Sequence, residues 1–211
     1  MQILSHRGYW KRENEKNQVI AFERSFSLGF GTETDVRDYN GDLVISHDIA
    51  SDSCMTIDSF FQLYNRYEKS IPLALNIKAD GLQQKLRESL KKYNIKNYFV
   101  FDMSVPDTIG YLEKNINIFT RQSEYEREPA LYNEAAGVWM DSFLNEWMEK
   151  EDIFQHLENG KKVCIVSPDL HKREHRSLWR KLSNMPISNY IDIMLCTDYP
   201  EEAMEYFYGK N

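Results

Sequence analysis

A chain of 211 residues, 42% hydrophobic and 28% charged with nine Gly and six Pro, can bury a sizeable core, and this composition excludes disorder, collagen and coiled coil. Lys plus Arg number 26 against 33 Asp plus Glu, so at a net charge of −7 there is no basic field to hold a polyanion and no nucleic acid partner is expected. Cys54, Cys164 and Cys196 lack CxxC spacing, which excludes a disulfide framework or thiolate zinc site and fits a reducing cytoplasm.

The opening run MQILSHRG enters an apolar stretch at once, with neither a charged n-region nor a long apolar h-region, so no export signal is expected. No apolar run approaches the roughly eighteen residues of a membrane span. Eight short apolar runs, at 2–5, 31–37, 72–78, 98–102, 117–121, 137–141, 162–167 and 191–197, read as strands. Asn17 is expected to cap a helix carrying Ile20, Phe22, Phe26 and Leu28 that stops at Gly29. Thr56 caps the next, with Phe60, Leu63 and Tyr64 inward, and Leu82, Leu86 and Leu90 make an i, i+4, i+8 stripe. Segments 125–135 and 147–157 carry the faintest helical patterns, and a last helix opens at Asp198 and closes at Gly209.

Strand and helix thus alternate without a break in composition, the pattern of parallel strands covered by helices. The expected fold is α/β, a compact (β/α)8 TIM barrel, in one domain over 1–211 with no inserted subdomain; a doubly wound open sheet is the structural alternative. In a barrel the chemistry belongs at the C-terminal ends of the strands. Those positions hold His6, Arg7, Glu33, Asp35, Asn76, Lys78, Asp102, Arg121 and Asp141.

Glu33 and Asp35 lie two apart on one strand, so both carboxylates project to one face and suit Mg²⁺ or Ca²⁺. The competing reading makes residues 32–35 an exposed edge strand. Asn40-Gly41 then signals a hairpin whose return brings back His47 and Asp48. A two-residue turn sets Thr34 opposite His47, whereas a one-residue bulge sets Asp35 opposite His47. His6 and His47 are suited to move protons near neutral pH. Paired with a cation, and with Arg7 and Lys78 to neutralise phosphoryl oxygens, they suit phosphodiester cleavage.

The ordered run of His6-Arg7-Gly8, Asn17, Ala21-Phe22, Gly29, Glu33-x-Asp35-Val36, Asn40-Gly41 and His47-Asp48 resembles the signature of glycerophosphodiester phosphodiesterases. Leu75-Asn76-Ile77-Lys78 and Cys196-Thr197-Asp198-Tyr199-Pro200 resemble that family's third-strand and last-strand motifs. The resemblance implies a metal-dependent hydrolase of glycerol-linked or similar phosphodiesters. It makes His6 and His47 the acid and base pair, Arg7 and Lys78 the phosphate holders, and Glu33, Asp35 and Asn76 the ligands of Mg²⁺ or Ca²⁺. It also implies a cyclic phosphate, formed by a neighbouring substrate hydroxyl before water opens it, with related barrels stopping at the cyclic product. Asn76 stands where the family has an acid, and an amide brings no charge, so weak metal binding is expected.

Arg121 is read as holding a second anionic group of the substrate, or else as a surface arginine. His171 and His175, at i and i+4, have zinc spacing but no third ligand nearby, and read better as a solvated helix start. Two functions compete: a cytoplasmic phosphodiesterase acting on a small phosphodiester, and a catalytically silent barrel that binds a phosphorylated ligand or a partner protein. The two proton carriers favour the enzyme, and the sequence does not set an oligomeric state.

Overall fold

The computed structural model describes residues 1–67, 70–187 and 190–209. In chain order the first half holds β1 (Gln2–His6), α1 (Val19–Ser27), β2 (Gly31–Tyr39), β3 (Asp42–Ile45), α2 (Ile57–Tyr64), β4 (Leu73–Ile77), α3 (Gln83–Lys92), β5 (Tyr98–Phe101) and α4 (Val105–Glu113). The second holds β6 (Phe119–Gln122), β7 (Gly137–Met140), α5 (Lys150–Glu158), β8 (Lys162–Val166), α6 (Arg176–Ser183), β9 (Ile193–Thr197) and α7 (Pro200–Tyr208). All eight expected strands are present among the described residues, and β3 is the return of the expected hairpin. The fold is α/β, of the (β/α)8 TIM-barrel class. Among the described residues no helix is long and apolar enough to cross a membrane.

The chain divides into two compact units, one of residues 7–118 and one of residues 1–6 with 119–211. In the first, β2, β4 and β5 pair in parallel, with Asp35 beside Asn76 and Glu33 beside Ala74. The edge-strand reading of residues 32–35 does not hold, because Thr32, Glu33, Thr34 and Asp35 are all buried. The hairpin takes the unbulged register: Val36 pairs with Ile45 and Tyr39 with Asp42, around Asn40 and Gly41 at φ 48° and 87°. β3 ends at Ile45, so His47 follows in a loop where strand alternation no longer sets its face. Phe22 and Phe26 of α1 meet Phe60 of α2 at ring separations of 4.7 and 6.1 Å, which fixes both helices to one core.

In the second unit β1, β9, β8, β7 and β6 pair in parallel in that order. β8 and β9 are near-continuous apolar runs, as parallel strands covered on both faces require. Residues 125–135 form turns, not the helix their acid and aromatic residues suggest. Pro129 would break a helix interior. Side chains tie the segment down instead: Thr120 Oγ1 donates to the Ala130 carbonyl and Gln122 Nε2 to the Arg127 carbonyl.

The turn after β1 places the first charged groups. Arg7 and Gly8 both have positive φ, 58° and 81°, and the Gly8 N–H donates to Thr32 Oγ1. A Cβ on Gly8 would sit 2.8 Å from Ala21 Cβ and 2.9 Å from the Ala21 carbonyl carbon. Gly8 and Ala21 are therefore small for one shared reason, the close approach of this turn to α1. Gly8→Ala is expected to lose about 2–4 kcal/mol of stability through backbone strain and overpacking. Urea denaturation measures this, and a loss below about 0.5 kcal/mol would mean that the turn yields freely.

Candidate active site

In the unit of residues 7–118 the site is organised around the Asp35 carboxylate, which has no exposed surface. Its Oδ2 lies 3.1 Å from Arg7 Nε and accepts from Asn17 Nδ2 at 2.8 Å, and its Oδ1 lies 3.2 Å from Lys78 Nζ. A buried carboxylate is tolerable only when paired and hydrogen-bonded: Asn17 supplies the hydrogen bond, Arg7 and Lys78 stand at ion-pair distance, and Asp35 Oδ1 accepts no hydrogen bond. Asn17 is not the cap of α1, a position held by Gln18. At φ 59° it turns inward, where Thr34 Oγ1 donates to its Oδ1 and directs its Nδ2 toward Asp35.

Asn76 stands beside Asp35 in the register of β2 and β4, and its Nδ2 donates to Asp102 Oδ2 at 3.1 Å. Its buried Oδ1 accepts no hydrogen bond. Glu33, 2% exposed, projects from β2 one residue before Thr34. The Arg7 and Lys78 side chains are each 20% exposed. Beyond β3, His47 Nδ1 lies 2.9 Å from Asp48 Oδ1. That hydrogen bond holds the Asp48 carboxyl below its ordinary range, helped by the charges of His47, Arg7 and Arg37.

In the unit of residues 1–6 and 119–211, His6 closes β1 and its Nδ1 lies 2.7 Å from Asp198 Oδ1. An ionised carboxylate only accepts, so Nδ1 carries the proton and Nε2 the lone pair. Asp198 is itself held: its N–H and Thr197 Oγ1 both donate to Asp169 Oδ2, at 2.6 and 3.0 Å. Burial pushes the Asp169 carboxyl up, against hydrogen bonds that pull it down. Asp141, after β7, receives His171 Nε2 at 2.7 Å, so His171 pairs with a carboxylate while His175 approaches Glu202 at 3.7 Å. Arg121 lies over the Phe143 ring at 5.3 Å in a pocket of about 630 Å³ shared with Ser123, Tyr125 and Glu126.

Of the residues expected from the sequence, Arg7, Asp35 and Lys78 form one cluster, and Asn76 neighbours it through β4. His6, His47 and Arg121 each have the separate surroundings just described. Asn17, Asp198 and Asp169 were missed as site residues. Asn17 had one usable signal, since Asn is the residue after Gly that most readily takes positive φ. As a donor set for Mg²⁺ or Ca²⁺, Glu33, Asp35 and Asn76 offer the buried Oδ1 atoms of Asp35 and Asn76, which accept no hydrogen bond, but fit poorly in charge. Both oxygens of Asp35 already face cationic side chains, and Asn76 adds no charge.

No family model matches the chain, and no curated protein matches it in sequence. Solved structures do match it in fold. A glycerophosphodiester phosphodiesterase from Agrobacterium tumefaciens is similar at a TM-score of 0.69 and 14% identity, over 98% of this chain and 98% of that one. A glycerophosphoryl diester phosphodiesterase from Parabacteroides distasonis is similar at 0.66 and 15%, over 97% and 85%. A glycerophosphodiester phosphodiesterase from Thermotoga maritima is similar at 0.64 and 16%, over 95% and 96%. At these identities the likeness establishes the fold, the same (β/α)8 class that the strands and helices of this chain display.

Proposed function

We propose that the chain is an enzyme that cleaves glycerophosphodiester-like phosphodiesters by two-histidine acid and base catalysis. One observation carries the reading: each expected histidine has a carboxylate on its Nδ1, at 2.7 Å for His6 and 2.9 Å for His47. A carboxylate there fixes the tautomer and turns Nε2 toward proton transfer. One imidazole takes the proton of the attacking oxygen, from water or from a neighbouring hydroxyl of the substrate. The bond from phosphorus to the leaving oxygen breaks, and the other ring, doubly protonated as imidazolium, gives that oxygen the proton on its Nε2. Water as nucleophile yields a monoester, and a substrate hydroxyl yields a cyclic phosphate that water then opens.

Arg7 and Lys78 oppose the negative charge that builds on the phosphoryl oxygens, and Arg121 takes a second anionic group of the substrate. Asp198 acts through His6 as a positioning residue. The likeness in fold to phosphodiesterases of this type supports the substrate class. Three cysteines without CxxC spacing support a reducing, cytoplasmic setting.

The test is turnover on a panel of glycerophosphodiesters, lysophospholipids and cyclic phosphates, with products read by phosphorus NMR. His6→Ala and His47→Ala are each expected to lower kcat by about 10²–10⁴ while circular dichroism shows a folded protein. Asp198→Asn is expected to lower kcat on the order of 10²-fold and to move the pH profile, because an amide no longer fixes the His6 tautomer. A near-normal rate in either alanine variant removes that histidine from the mechanism. Wild-type protein that turns over nothing on the panel leaves a phosphate-binding barrel as the reading.

A further inference from the structure

The surroundings of Asp35 disagree with the divalent cation that the resemblance implies. Arg7 Nε and Lys78 Nζ lie 3.1 and 3.2 Å from its two oxygens, and the Asn17 amide is 2.8 Å from Oδ2. Two cationic side chains stand against the two Asp35 oxygens before any ligand arrives. A Mg²⁺ or Ca²⁺ ion approaching those oxygens meets like charge and must displace both side chains. The neighbouring residue on β4 offers no compensation, because Asn76 is neutral and turns its amide nitrogen to Asp102.

The same contacts leave donors for an anion. With Nε toward Asp35 at ion-pair distance, the Arg7 guanidinium has two terminal nitrogens for a bidentate grip on phosphate, and Lys78 has two further N–H groups. Both side chains are 20% exposed, whereas Asp35 behind them is fully buried. The layering runs from acceptor to cations to solvent, which is the order an anion site requires and the reverse of a cation site.

We infer that Arg7 and Lys78, clamped on Asp35, supply the positive charge at the substrate phosphate that a divalent cation would otherwise supply, and that Asp35 is a positioning residue and not a metal ligand. The inference rests on the proposed phosphodiester reading for its substrate, but its core is a cation-independent phosphate site.

Calorimetry on the full chain, with inorganic phosphate as the probe, tests it. Phosphate is expected to bind equally, within about twofold, in EDTA, in Mg²⁺ and in Ca²⁺, and the two cations alone are expected to give no saturable heat. Asp35→Asn is expected to weaken phosphate at least tenfold in EDTA while circular dichroism shows a folded protein. Should that variant not fold, Lys78→Gln, altered at a partly exposed end, is expected to give the same tenfold loss. Phosphate binding that needs Mg²⁺ or Ca²⁺, saturable cation binding that Asp35→Asn removes, or no phosphate binding under any condition would each overturn the inference. Tight binding of phosphate in EDTA by a protein that cleaves no phosphodiester supports the inference and overturns the proposed activity.

Discussion

A carboxylate with no exposed surface must be neutralised where it stands, and Asp35 is one. Removing a partner from such a buried pair typically costs about 3–5 kcal/mol, so its partners cannot drift. They come from three places along the chain: Arg7 just after β1, Asn17 just before α1, and Lys78 just after β4. Two of them reach it through positive φ, and the Arg7 turn in turn requires Gly8 and the close approach to Ala21. The local backbone of this unit is thus shaped by the need to satisfy one charge. The result is a pair of partly exposed cations held beside one carboxylate, the element we propose to bind phosphate.

The histidines show a second use of carboxylates in the same chain. Asp198 is anchored through Asp169, and it orients His6 from a largely buried position with side-chain exposure of 11% on each partner. Asp48 orients His47 at the surface, with 91% of its side chain exposed. An exposed pair of this kind contributes little to stability. Its value is directional, since it sets which ring nitrogen carries the proton. Buried and exposed dyads therefore reach the same tautomer at different energetic cost, and proton transfer needs the tautomer more than the energy.

Most of the fold was legible in the sequence because buried parallel strands announce themselves as short apolar runs, as in β8 and β9. The helix expected over 125–135 failed because aromatic and acidic residues at mixed spacing mimic amphipathicity, while Pro129 and loop-tying side chains decide the outcome. Asp35, Arg7 and Lys78 were found by residue type and spacing. What could not be read was who faces whom. Asn17 looks like a helix cap in one dimension and is a buried partner of Asp35 in three. Asp198 looks like the opening of α7, and only the pairing of β1 with β9 brings it beside His6. Register was also beyond the sequence, because Asn-Gly permits both hairpin forms and the unbulged one leaves His47 in a loop.

The account stands most directly on what occupies the space in front of Asp35. A crystal structure of the chain soaked with both phosphate and Mn²⁺, with anomalous scattering used to locate the metal, reads this in one measurement. The account predicts a phosphate held by the terminal nitrogens of Arg7 and by Lys78 Nζ, with both side chains still seated on Asp35 and no anomalous peak between them. A Mn²⁺ peak bound by Glu33 and Asp35, with Arg7 and Lys78 swung away, would contradict it.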